Sequence, residues 1–122
     1  MRTAKYCLTA TLALGMLANV YATRADDAAK PHTIKEVMVL AHKKGLYNKV
    51  LQGKADDGDK KTLAELYGDL PKNTPEKGDA ESWKTKSEAL AKAANDVVAG
   101  KENALAALKT ANKCKSCHDA HK

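Results

Sequence analysis

The chain has 122 residues, enough for one domain, with 21 Lys+Arg against 15 Asp+Glu and a formal net charge of +6. Phe is absent, aromatic residues make up 4% of the chain, and Ala, Leu and Lys are frequent, which argues against a sheet-rich fold. No Lys/Arg cluster with interleaved aromatics is present, so nucleic acid is not an expected partner.

Met1–Tyr6 carries Arg2 and Lys5, an uncharged run follows from Cys7 to Val20, and Val20 and Ala22 take the −3 and −1 positions of a cleavage site. This is the pattern of a secretory signal peptide over residues 1–22, with a cut after Ala25 as the alternative. The apolar run falls short of the roughly 20 residues a bilayer span needs. The mature chain is therefore expected to be residues 23–122, exported, soluble and periplasmic. Cleavage removes Arg2 and Lys5 and lowers the formal charge from +6 to +4, a mild positive balance suited to an acidic partner surface. Of three cysteines one leaves with the signal, and the other two share one motif, so no disulfide framework is expected.

Residues 23–32 are polar and read as a frayed lead-in. Thr33-Ile34-Lys35-Glu36 is a capping box, opening a first helix over about 34–52 with Ile34, Val37, Met38, Ala41, Leu46 and Val50 on one side. Gly45 weakens it slightly and Gly53 stops it. Leu63, Leu66, Tyr67 and Leu70 recur at helical spacing, predicting a second helix over about 59–70 that Pro71 ends. An exposed connection holding Pro71 and Pro75 follows. Asp79 caps a third helix, in which Trp83, Ser87, Leu90, Ala94 and Val97 form a seam and Gly100 is the stop. A fourth helix is predicted from about Glu102 to the terminus, with Leu105, Leu108, Ala111, Cys114 and His118 along one side. Four amphipathic helices with mostly short links imply an all-α, antiparallel, up-down-up-down four-helix bundle.

The sequence "CKSCH" at residues 114–118 is the attachment signature for a covalent haem. On a helix, Cys114, Cys117 and His118 share a face. The two thiols can then form thioethers with haem vinyl groups, and the imidazole can bind iron as the proximal ligand. A thioredoxin-like CxxC needs a βαβ setting, for which no strand is predicted. A zinc site from Cys114, Cys117, His118 and His121 would crowd four ligands into eight helical residues, unlike the paired spacing of structural zinc motifs. Only four residues follow His118 and none is Met, so a second axial ligand has to come from upstream.

These features resemble the cytochrome c′ family of class II c-type cytochromes. "CKSCHDAHK" is similar to that family's closing pattern, and "AESWKTKSEAL" to the Trp-bearing start of its third helix. The resemblance implies a four-helix bundle with one haem on the C-terminal helix, a periplasmic location, and either electron transfer or binding of small gases; homodimers are common in the family. The chain departs from the pattern in a shorter link between helices two and three. Lys35 is the nearest substitute for an Arg beside the haem propionates, and His121 and Lys122 stand where the family has Tyr and Arg.

The sixth iron position separates the functions that the resemblance implies. Met38, the only Met of the mature chain, is the first candidate distal ligand and His42, one turn on, is its competitor; ordinary core packing is the alternative for Met38. His32, Tyr47, Tyr67 and Trp83 read as solvated or packing residues. The expected role is a one-electron carrier for redox protein partners, with no substrate turned over. The alternatives are a five-coordinate protein binding NO or CO and a zinc-stabilised helical module.

Overall fold

A computed structural model describes residues 29–122, so the signal peptide and cleavage site expected from the sequence lie outside the described residues. Thr33 caps α1 (Ile34–Val37) as the sequence predicts: its hydroxyl accepts from the Glu36 amide at 3.3 Å, and the Glu36 carboxylate accepts from the Thr33 amide at 2.8 Å. The chain then widens into a π-helical segment, Met38–Lys43, where the Lys44 amide donates to the Val39 carbonyl five residues back at 2.9 Å. Gly45 breaks the winding at φ 80°, and α2 (Leu46–Leu51) follows. The single helix expected over 34–52 is thus three segments. The apolar face survives, with Val37, Ala41 and Val50 buried.

A second reciprocal box starts α3 (Asp57–Asp69) two residues earlier than predicted: Asp56 accepts from the Asp59 amide at 2.8 Å, and Asp59 accepts from the Asp56 amide at 3.2 Å. One 3₁₀ turn, Leu70–Lys72, absorbs Pro71. Asp79 caps α4 (Ala80–Val98), accepting from the Ser82 amide at 2.7 Å. The helix ends in a Schellman motif at Gly100. The amides of Gly100 and Lys101 reach back to the Val97 and Asp96 carbonyls, both at 3.1 Å, and Gly100 takes the left-handed φ of 67° that the motif needs.

The fourth predicted helix is interrupted. Residues Ala104–Ala111 form α5 and Cys114–His121 form α6, with Asn112 and Lys113 leaving helical geometry at ψ 55° and ψ 96°. Asn is a poor helix former because its amide competes for backbone partners. The break also redraws the predicted seam: Ala104 and Leu108 are buried, whereas Leu105 is exposed.

Among the described residues the fold is all-helical, an arrangement compatible with a helical bundle, with α3 packed on α4 and α4 on α5. Leu63, Leu66 and Tyr67 of α3, Trp83, Leu90, Ala94 and Val97 of α4, and Leu108 of α5 join Val37, Ala41 and Val50 in one core. Full burial of Leu63, Leu66 and Leu108 contributes about 1.5–3 kcal/mol each. None of the described helices is long and apolar enough to cross a membrane.

The described part of the lead-in is tied down, a departure from the frayed segment expected. The His32 amide donates to the Asp69 carboxylate at 3.0 Å, and the His32 ring meets the same oxygen at 2.8 Å. Asn73 donates to the His32 carbonyl and Lys72 to the other Asp69 oxygen, each at 2.8 Å. Partial burial pushes the Asp69 carboxyl up, but its hydrogen bonds to Lys72 and His32 outweigh that and hold it at about 2, below its ordinary 3.8. A depressed carboxyl stabilises the fold above its unfolded value and loses that contribution as pH falls through its folded value. Stability is therefore expected to decline between pH 4 and pH 2, followed by urea titration, and Asp69→Asn is expected to flatten that decline while lowering stability at neutral pH.

Candidate functional site

The site begins with Trp83. Its indole N–H donates to the Leu70 and Asn73 carbonyls at 3.2 and 2.9 Å, pinning the 70–73 connection to α4. The Ser87 hydroxyl donates to the Trp83 carbonyl at 2.7 Å. Against this wall rests His121, the last residue of α6, 4% exposed, with its ring edge-on to the indole at 5.5 Å. Its Nδ1 donates to the Lys77 carbonyl at 3.2 Å, since a carbonyl can only accept, and that tautomer leaves Nε2 to accept from the Ser82 hydroxyl at 3.4 Å.

Gly78 completes the seat. It sits at φ 92°, and a Cβ there would collide with the Ala120 carbonyl oxygen and lie 2.6 Å from His121 Nδ1. At the other end of α6, Lys86 donates to the Ser116 carbonyl at 2.8 Å. The connection predicted to be an exposed link is thus a docking surface for the terminal helix. Sequence reading missed Gly78, Lys77 and Ser82 because their roles are backbone approach and a long-range contact, which leave no periodic signal.

Docked in this way, α6 presents Cys114, Cys117 and His118 to a cavity of about 610 Å³, within the range of about 300–1,000 Å³ common for small-molecule and cofactor sites. Met38 and His42 of the π-helical segment line the same cavity, as do Leu70, Trp83 and Leu90. Every sequence-predicted ligand position therefore meets one space, although the motif and the first helical segment lie far apart in the chain. Both cysteines are free thiols, Cys114 exposed and Cys117 half-buried. Burial pushes the Cys117 thiol up, and the nearby Lys86 opposes that only in part.

The cavity rim is basic. Lys35, Lys43, Lys86, Lys113 and Lys122 line it, with Glu76 the one acidic side chain among the described lining residues, which suits a ligand with an apolar body and an anionic edge. Lys35, the sequence-based substitute for a propionate-side Arg, is among them.

On the opposite wall, His42 is half-buried between Tyr47 and Tyr67, with ring centroids 5.3 and 6.0 Å away. Its Nε2 lies 3.2 Å from the Tyr67 hydroxyl. Burial, and then the charge of His118, push the His42 pKa down, so the ring is neutral at pH 7. Tyr67 is fully buried, and burial drives its phenol pKa upward, so it keeps its proton. Tyr67 was expected to pack in the bundle, and it does; its polar contact with His42 was not foreseen.

Both His121 nitrogens are engaged by Lys77 and Ser82, which removes it as a fourth zinc ligand. Among the described residues no three His, Cys, Asp or Glu side chains gather in a metal-binding group. Among the same residues no strand supplies the setting of a thioredoxin-like CxxC. Comparison of the chain with protein-family models, with curated proteins and with solved structures returned no match.

Gly78→Ala combines a left-handed backbone with a clash against α6 and is expected to cost more than about 1 kcal/mol. Thermal melting followed at the Trp83 fluorescence is expected to show an earlier transition, because the indole packs against the displaced His121.

Proposed function

We propose that this chain is an exported c-type cytochrome of the class II, c′-like kind: an antiparallel four-helix bundle, periplasmic after loss of residues 1–22, that carries single electrons and turns over no substrate. The observation that supports this best is the one cavity shared by Cys114, Cys117 and His118 from α6 and by Met38 and His42 from the first helical segment. Its volume, its apolar walls and its lysine rim fit a flat apolar group with carboxylate edges.

In this reading Cys114 and Cys117 hold haem through thioethers and His118 is the proximal iron ligand. When bound, haem supplies a one-electron couple whose potential the axial ligands set over about 0.8 V. The remaining work belongs to the chain. Trp83 and Leu90 exclude water from the cavity wall. The lysines at the rim offer partners for propionates and for an acidic redox protein. The seat around His121 anchors the helix that carries His118.

Met38 is the proposed distal ligand, and its thioether would favour a higher potential than a second imidazole. A specific observation bears on the gas-binding alternative. Tyr67 occupies His42, so if Met38 does not ligate, that side of the iron stays open to NO or CO.

One spectrum of the protein, expressed with haem-maturation machinery, separates these readings. A Soret band with a low-spin pattern is expected, and a haem-dependent peroxidase stain should persist on a denaturing gel and vanish in the variant carrying Cys114→Ala and Cys117→Ala. Met38→Ala is expected to convert the spectrum to high spin. A high-spin wild type whose reduced form takes up carbon monoxide rapidly would replace the carrier with the gas binder. Absence of a Soret band would overturn both.

A further inference from the structure

The contact between α3 and the π-helical segment leads past the ligand set. His42 lines the same cavity as Met38 and carries a better iron ligand than a thioether. What separates the two is Tyr67. Its hydroxyl, deep in the core, has the His42 Nε2 at 3.2 Å as its hydrogen-bond partner, and among the described residues no buried side-chain polar atom is left unpaired.

Either orientation of the shared proton engages Nε2, the nitrogen that meets Tyr67. If the hydroxyl donates, the Nε2 lone pair is spent on it. If Nε2 donates, the lone pair of the neutral ring sits on Nδ1 instead. In neither case is Nε2 free for a metal, and pulling His42 away would strand a phenol O–H inside the core, an arrangement folded proteins strongly avoid. The Tyr47 and Tyr67 rings on either side further restrict rotation of the imidazole.

We infer that Tyr67 is a positioning residue that holds His42 off the iron and so leaves the distal side to Met38 or to an open site. The inference rests on the haem reading proposed above and deepens it: axial-ligand identity is decided by a residue of α3 that does not itself line the cavity.

The test uses holoprotein in a Met38→Ala background, where no thioether competes. Met38→Ala alone is expected to be high-spin. Adding Tyr67→Phe removes one hydroxyl from an otherwise unchanged ring, and the low-spin bis-histidine fraction, read by electron paramagnetic resonance and near-infrared magnetic circular dichroism, is expected to rise about tenfold or more. Adding His42→Ala to that pair should abolish the low-spin signal. A Met38→Ala protein that is already bis-histidine overturns the inference, as does a Met38→Ala/Tyr67→Phe protein that stays high-spin or a triple variant that stays low-spin.

If the double variant does not accumulate, nitrogen-15 spectra of the histidine rings in reduced wild-type holoprotein serve instead. A single fixed His42 tautomer, hydrogen-bonded at Nε2, supports the inference, and rapid tautomer exchange overturns it. A wild type with no covalent haem stain overturns the haem reading and this inference together, whereas stained Met38→Ala variants with the spin states named above as contrary overturn only the role of Tyr67.

Discussion

An eight-residue helix has little stability of its own in water, where isolated helices shorter than about 12–15 residues are marginal. The terminal helix α6, Cys114–His121, is of this kind, and it is joined to α5 by two non-helical residues. Its position is imposed from outside: by the His121 ring wedged against Trp83, by the Lys77 and Ser82 hydrogen bonds, and by the absence of a side chain at Gly78. Without that seat, Cys114, Cys117 and His118 would have no fixed relation to the rest of the molecule. The same indole that supports His121 holds the 70–73 connection through its N–H, so a single side chain registers both the loop and the helix that docks on it.

The cavity follows from what the core lacks. The large side chains Leu63, Leu66, Tyr67 and Leu108 fill the contacts among α3, α4 and α5. Towards α6 the cavity wall mixes large apolar side chains, Leu70, Trp83 and Leu90, with Met38, His42 and the small residues Ser87 and Ala111. A chain with one Trp and no Phe does not close that space with its own side chains. A bound apolar group would bury the surface left over, and the gain from such burial scales with the area removed from water.

Much of this was legible before any coordinates. The Thr33 box, the Asp79 cap, the Gly53 and Gly100 stops and the Trp83–Val97 seam are local rules of spacing and hydrogen bonding, and the helices obey them. The motif at 114–118 and the two upstream candidates also line one cavity. What was not legible depends on distance or on subtle winding. The π-helical register at Met38–Lys43 keeps the apolar face that an α-helix would show, so spacing alone does not reveal it. The break at Asn112–Lys113 sits inside an apparently continuous helical pattern. The Tyr67–His42 and His121–Lys77 contacts join residues 25 and 44 positions apart, and a periodicity argument sees only near neighbours. His32 illustrates the same limit, since an exposed residue before a helix gives no hint of a carboxylate waiting 37 positions downstream.

The seat of α6 also bears on how stability is distributed. No residue of α6 belongs to the core cluster shared by the other helices, and its contact with that cluster runs through His121 against Trp83, so undocking it uncovers the indole and leaves the contacts among α3, α4 and α5 in place. Opening free energies in a protein range from near zero at weakly packed segments to the global value in the core, and α6 belongs at the lower end while α3 and α4 belong at the upper. Amide hydrogens of residues 114–121 should therefore exchange with solvent through a local event, long before those of the central pair. The consequence is a division of labour: a cooperative body that keeps its shape, and a short arm whose half-buried Cys117 joins the already exposed Cys114 in solvent without the body having to unfold.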